Sequence, residues 1–329
     1  MTDTASRVEE RMSDSTELGA RLQAAFGDAY VVQRELASGG MATVFLARDT
    51  KHDRLVALKV LRPQVAKIVG SQRFRHEIAV ASRLEHPHIL AIHDHGEAAG
   101  DLLWYTMPYV EGESLRERMT RESQLPLADA LRITREVASA LDYAHGAGYM
   151  HRDVKPDNIM VTTKHDAMLA DFGIARPMKD ASGRSRAGAT DVEVATTTTG
   201  FVVGSPQYMS PEQVGGDPSL DGRSDQYSLG TVLYEMLAGE TPFGGRNAQA
   251  VVAKMFAGGA PSIRTVRPDV PVVVDDAIKR ALSRSRNDRF ANISEFAEAL
   301  HVASSDARAG ISGAVARVAS RLRAWRARD

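Results

Sequence analysis

His151-Arg152-Asp153-Val154-Lys155-Pro156-Asp157-Asn158-Ile159-Met160 is the stretch on which the reading of this chain turns. It places a carboxylate at Asp153, a lysine two residues on and a side-chain amide three beyond that. A loop carrying Asp, Lys and Asn at those offsets can accept a proton, hold a phosphate and ligate a metal at one spot. A lone Asp is usually a solvated surface residue, so the information lies in the whole string.

Eighteen residues past Asp153 stands Asp171-Phe172-Gly173, after the short apolar runs Ile159–Thr162 and Ala167–Ala170. An Asp before a glycine is by default a turn residue. Here it adds a second hard-oxygen donor to Asn158. Upstream, Tyr30–Leu36, Thr43–Arg48 and Val56–Leu61 read as strands, with Ala37-Ser38-Gly39-Gly40-Met41-Ala42 as a turn between the first two. Small residues at such a turn let backbone N–H groups approach an anion. Lys59 sits in a strand otherwise made of Val, Ala and Leu, and a buried cation needs a partner. Glu77, in the periodic helix Gln72 to Leu84, is the candidate. His86, His88, His93 and His95 straddle a Pro-containing turn and a strand, and no Cys or Glu cluster completes a metal shell around them. Beyond Pro108-Tyr109-Val110 the pattern turns helical, with Leu127 to Gly146 the longest early helix.

These motifs, in this order, resemble the eukaryotic-type protein kinases, and Lys155 resembles the Ser/Thr branch. The Gly-Gly-Met turn and the Ser-Pro-Glu-Gln ending look bacterial. The resemblance covers about residues 30–302. It implies an α+β fold of two lobes, an antiparallel-sheet N-lobe with one main helix and a mainly helical C-lobe. The expected divisions are a polar extension at 1–25, the N-lobe at 26–109, the C-lobe at 110–302 and a basic amphipathic tail at 303–329.

The activity implied is transfer of the ATP γ-phosphoryl group to protein Ser or Thr hydroxyls, with Mg²⁺. Asp153 would orient the hydroxyl and take its proton, and Lys155 would steady the γ-phosphate. Asn158 and Asp171 would hold Mg²⁺. Lys59, paired with Glu77, would position the α/β-phosphates. Leu36, Ala37, Gly39, Gly40, Val44, Ala57, Met107, Val110 and Met160 fall at nucleotide-contacting positions: Val44 and Ala57 as the roof over the adenine, Met160 as its floor, Met107 as the gatekeeper. The glycine-rich pattern departs from the family at Ala37 and Ala42, and keeps only its middle glycine, Gly39. Ser205 would bridge Asp153 and Lys155. Glu212, Arg289 and Asp225 fall at structural positions, Glu212 with Arg289 as its partner and Asp225 holding the catalytic-loop backbone. A pseudokinase that binds nucleotide or partners is the rival. Lys59, Asp153 and Asp171, whose loss usually marks one, are all present. A small-molecule phosphotransferase is a third reading, disfavoured by Ser205–Glu212, which resembles a peptide-substrate platform.

The sequence also sets bounds. A formal charge of -1 provides no global field for nucleic acid, and there is no cysteine for a disulfide or thiolate site. No apolar run suggests a membrane span and no secretory signal opens the chain, so a cytoplasmic protein is expected. Residues 1–29 carry six acids and three arginines and read as a solvated lead-in, with a docked helix as the alternative. In the tail, Ile311, Val315, Val318, Leu322 and Trp325 form a helical apolar stripe among arginines. It fits packing on the protein's own surface or on a second copy, an anionic membrane surface or partner, or a solvated end. Residues 174–204 form a polar connection containing Thr196–Thr199. Phosphates on Thr197 and Thr199 would pair with Arg152 and order that connection. Mass spectrometry of the active protein is expected to find phosphate within residues 196–199; its absence there overturns this reading.

Overall fold

Alternation along one strand explains the first half of the fold. In Arg54–Leu61, Val56, Leu58 and Val60 point to one face of the sheet, while Ala57, Lys59 and Leu61 point to the other. All but Lys59 of these six are buried, so both faces are covered. The computed structural model describes residues 16–98, 102–172 and 206–301. Contacts divide the chain into two compact units. One runs to Gly112 and takes up the chain again at Leu169; the other begins at Glu113.

The first unit is built on an antiparallel sheet of order β1-β2-β3-β5-β4. Its strands are β1 (Tyr30–Ser38), β2 (Ala42–Asp49), β3 (Arg54–Leu61), β4 (Asp94–Ala98) and β5 (Leu102–Pro108). Ala37 and Ala42, expected in the turn, lie in strands, because the hairpin continues to the Ser38–Thr43 pair. Val56, Leu58 and Val60 join Phe45, Ala47, Leu102 and Trp104 in one buried cluster. Helix α1 (16–26) covers it and inserts Leu22, which is fully buried. Phe26 meets Trp104 edge-on at 4.9 Å. The Gln23 amide ties the helix to the sheet, accepting from Val32 N at 2.8 Å and donating to Tyr30 O at 3.2 Å. Gly27, at φ +57°, ends the helix in a left-handed turn. The expectation of a solvated lead-in is therefore corrected for residues 16–25. Leu18 and Leu22 lie on one side of a helix whose apolar stripe has a sheet face to cover.

α2 (Pro63–Val69) and α3 (Ser71–Ala81) follow β3, and α3 buries Phe74, Ile78 and Ala81. Leu90 N donates to Leu169 O at 2.9 Å and Leu169 N to His88 O at 2.8 Å. This stitch draws Leu169 to Phe172 into the first unit, although the sequence division assigns them to the second.

The second unit is mainly helical. α4 (Leu115–Glu122) starts at a reciprocal cap between Ser114 and Glu117. α5 (Leu127–Gly146) buries one face from Ala130 to Ala144. A 3-10 turn at Pro156–Asn158 leads to the short strands β7 (Ile159–Thr162) and β8 (Ala167–Leu169), which share a small sheet with β6 (Gly112–Ser114). After the short α6 (Pro211–Val214), α7 (Arg223–Ala238) is buried nearly all round, as a central helix must be. α8 (Ala248–Ala257), α9 (Val272–Ala281) and α10 (293–301) follow, and α9 packs against α7. Among the described residues, no helix is long and apolar enough to cross a membrane.

Leu22→Ala is expected to cost about 2–5 kcal/mol of stability by chemical denaturation, the range for a large-to-small change in a packed core. A loss below about 0.5 kcal/mol, typical of an exposed site, would mean that the helix does not dock in solution.

Candidate active site

The catalytic-loop stretch is assembled around a buried carboxylate. Asp225, in the first turn of α7, has 1% of its side chain exposed. Its Oδ2 accepts from His151 N at 2.8 Å and from His145 Nε2 at 2.8 Å, and its Oδ1 accepts from Arg152 N at 2.7 Å. Burial works against the charge, but His145 and the backbone donors hold the carboxyl below the usual aspartate range. Arg152 sits at φ 65°, a left-handed conformation that costs a non-glycine residue energy. The bond from its N–H to Asp225 offsets that cost. Gly222 makes room for the clamp, since a Cβ there would stand 2.5 Å from His145 Nδ1.

On the loop so held, Lys155 Nζ lies 2.9 Å from Asp153 Oδ2. Asn158 Nδ2 donates to the same oxygen at 3.1 Å and to Asp153 O at 2.8 Å. That leaves Asn158 Oδ1 as its metal-type donor. Met160 follows, half-buried, in β7. The structure also brings Glu212 and Arg289 together: Nη1 donates to Oε1 at 2.6 Å and Nη2 to Oε2 at 2.8 Å, a bidentate pair. Burial alone would raise the Glu212 carboxyl, but Arg289 and Ser224 hold it below its ordinary value.

In the first unit, pairing across the sheet sets Ala57 opposite Met107 and Lys59 opposite both Val44 and Tyr105. Met107 is buried, Val44 half-buried, and Val110 half-buried just beyond β5. Leu36 lies where the β1–β2 register shifts. In the exposed turn, Gly39 N donates to Ala42 O at 2.9 Å, and a Cβ on Gly39 or Gly40 would meet nothing closer than 3.8 Å. The fold itself therefore does not demand glycine there.

The expected Lys59–Glu77 pair is not formed, which is a correction. Lys59 Nζ is paired with Asp171 Oδ2. Glu77 Oε1 instead pairs with Arg73 Nε at 2.8 Å, one turn earlier on α3. A cation four residues away on the same helix is always within reach, whereas Lys59 must be brought to Glu77 by packing. Asp171 stands at φ 64°, and its Oδ1 accepts from Tyr105 OH at 2.6 Å. Burial first, then the Asp171 charge, pushes the Tyr105 hydroxyl well above its ordinary pKa, so it stays a donor. Sequence reasoning missed Tyr105, although its position two residues before Met107 puts both on the Lys59 face. It also missed Arg116, Tyr208 and Glu235, which meet beside the catalytic loop. Gly173, Thr197, Thr199, Ser205 and the 306–329 tail lie outside the described residues.

Comparison with known proteins adds an independent line. Residues 30–315 match the family described as protein kinase domain, 13 residues beyond the expected boundary at 302. The chain is 39% identical over 273 residues to the serine/threonine-protein kinase PknB of Mycobacterium leprae, covering 82% of this chain and 42% of that protein. It is 39% identical over 274 residues to the serine/threonine-protein kinase pkn3 of Myxococcus xanthus, covering 81% and 48%. It thus spans less than half the length of these curated relatives. The PknI kinase domain of Mycobacterium tuberculosis superposes with a TM-score of 0.65 at 33% identity, covering 84% of this chain and 96% of that one.

Glu212 supplies a pH prediction. Its folded pKa lies below the ordinary value, so its contribution is complete above about pH 4.3, the unfolded value, and is lost as pH falls through the folded one. Glu212→Gln is expected to lower stability at neutral pH by about 3–5 kcal/mol, as for breaking a buried pair, and to flatten the acid limb of melting temperature against pH. An acid limb identical to wild type would remove Glu212 as its source.

Proposed function

Because this chain belongs to the protein kinase family, we propose that it transfers the ATP γ-phosphoryl group to Ser or Thr hydroxyls of proteins. One observation carries the reading at the level of atoms: a single carboxylate oxygen, Asp153 Oδ2, is held by both Lys155 Nζ and Asn158 Nδ2. A carboxylate fixed in this way can orient a hydroxyl and receive its proton while the hydroxyl oxygen bonds to the γ-phosphorus. The bond from the γ-phosphorus to the bridging oxygen breaks, and ADP leaves. Lys155, already beside Asp153, would neutralise charge on the transferred group. Catalysis of this kind is mostly positioning and charge stabilisation.

The nucleotide half of the reading rests on the first unit. Lys59 would be the cation for the phosphates, and Ala57, Val44 and Met107 would give apolar surface for the base. The family uses ATP with Mg²⁺, which would neutralise phosphate charge. Asp171 and Asn158 offer hard oxygens of the kind that ion takes and are the residues proposed to hold it. Asp171 is bonded to Lys59 and Tyr105 here, so loading this site would exchange the Lys59 contact for phosphate. Arg152 is the cation for phosphate on Thr197 or Thr199, and Ser205 the hydroxyl that would bridge Asp153 and Lys155. Protein substrates are the partners proposed; the 306–329 tail is proposed for self-association or an anionic surface.

Incubation with labelled ATP and Mg²⁺ tests the reading. Wild type is expected to label itself or casein, and Asp153→Asn to lower the rate by about 100-fold or more, the scale of a general base. Equal labelling by the two proteins, or none by wild type, would sink it.

A further inference from the structure

Gln213 joins two parts of the site that lie 61 residues apart in the chain. It is the third residue of α6, directly after Ser205–Glu212, the stretch that resembles a peptide-substrate platform. Its side-chain amide is used in both directions. Oε1 accepts from Ser210 N at 2.9 Å, and Ser210 Oγ accepts from Gln213 N at 3.3 Å, which closes a reciprocal cap on α6. Nε2 donates to Arg152 O at 3.0 Å.

That carbonyl belongs to the peptide joining Arg152 to Asp153. The N–H of the same peptide donates to His151 Nδ1 at 3.2 Å. Asp225 holds the peptide before it through Arg152 N, and Asn158 Nδ2 holds the one after it through Asp153 O. Gln213 thus bonds the peptide plane from which the Asp153 side chain springs. Arg152 is left-handed, a conformation that persists in a non-glycine residue only where its surroundings impose it.

A cap alone does not require glutamine. Glutamate caps equally well, and its charge suits a helix N-terminus better. This chain uses glutamate at the corresponding place of α4, where Glu117 Oε2 accepts from Ser114 N at 2.7 Å. At α6 the side chain must accept from Ser210 and also donate to a carbonyl. An ionised carboxylate has no proton to donate, whereas an amide has both functions.

We propose that Gln213 is a positioning residue for Asp153: from the end of the substrate platform it holds the Arg152–Asp153 peptide in the orientation from which Asp153 meets a hydroxyl. This rests on the kinase reading above. The platform and the proton acceptor are thereby kept in register by one amide.

The test compares wild type with Gln213→Glu, which keeps the cap and loses the donor, and Gln213→Met, which loses both. Gln213→Glu is expected to melt with wild type and Gln213→Met lower. In both, kcat for a Ser/Thr peptide is expected to fall by about tenfold to a hundredfold, the scale of a small misplacement of a catalytic group, with KM for ATP unchanged. Wild-type kcat in either folded variant overturns the proposal, as does a loss carried by KM for ATP.

Amide hydrogen exchange over residues 150–158 reads the loop without catalysis and serves if a variant is too weak to assay. Exchange there is expected to be faster in both variants than in wild type, and unchanged protection overturns the proposal. Failure of wild type to label casein or any peptide sinks the kinase reading instead, and the exchange comparison still decides whether Gln213 holds the loop.

Discussion

The catalytic loop depends on one buried carboxylate. Asp225 supplies two acceptor oxygens to two consecutive backbone N–H groups, of His151 and Arg152, and to His145. A charge at that depth is tolerable only because its oxygens are met by such donors and because it sits in the first turn of a helix, where the N-terminal dipole favours an anion. The return is a fixed loop in an uncommon conformation. Arg152 stays left-handed, and Asp153, next in the chain, meets Lys155 and Asn158 at hydrogen-bonding distance.

α7 extends the same logic. Its N-terminal turn holds Asp225, Ser224 bonds Glu212, and Glu235 near its other end gathers Arg116 and Tyr208. A helix buried all round cannot be amphipathic, so its polar residues each need a named partner. Asp225 meets the loop, Ser224 meets Glu212 of the bidentate Glu212–Arg289 pair, Gln226 meets Phe290 and Asn292, and Glu235 meets Arg116 and Tyr208, while the buried Tyr227 hydroxyl has no hydrogen-bond partner among the described residues. Polar residues inside this helix therefore mark where neighbouring segments are pinned.

The first unit shows the same economy in a sheet. β3 is apolar on both faces because α1 covers one and α3 lies towards the other. Lys59 interrupts the second face, and its charge requires a carboxylate. Two were within reach of the chain's topology. The one it meets is Asp171, which Tyr105 also holds, while Glu77 closes on Arg73 within its own helix. Local pairing thus competes with long-range pairing for the same acid, and here the local pair forms.

Much of this was legible in the sequence, because much of it is local. Period-2 and period-3.6 patterns gave the strands and helices, and Leu127–Gly146 and Ala248–Ala257 fall where the spacing puts them. The order of Lys59, Asp153, Asn158 and Asp171 carried the resemblance to the protein kinases, the family to which the chain belongs. What the sequence left open were choices between partners far apart in the chain. Whether residues 16–26 lie in water or on the sheet depends on the Trp104 and Leu58 surface they cover. Whether Lys59 takes Glu77 or Asp171, and whether Arg116 faces solvent or pairs with Glu235, 119 residues away, depends on distances that only packing fixes. Short-range geometry is written in the spacing; the pairing of distant charges is decided when the interior closes and each must find a counterion or stay in water.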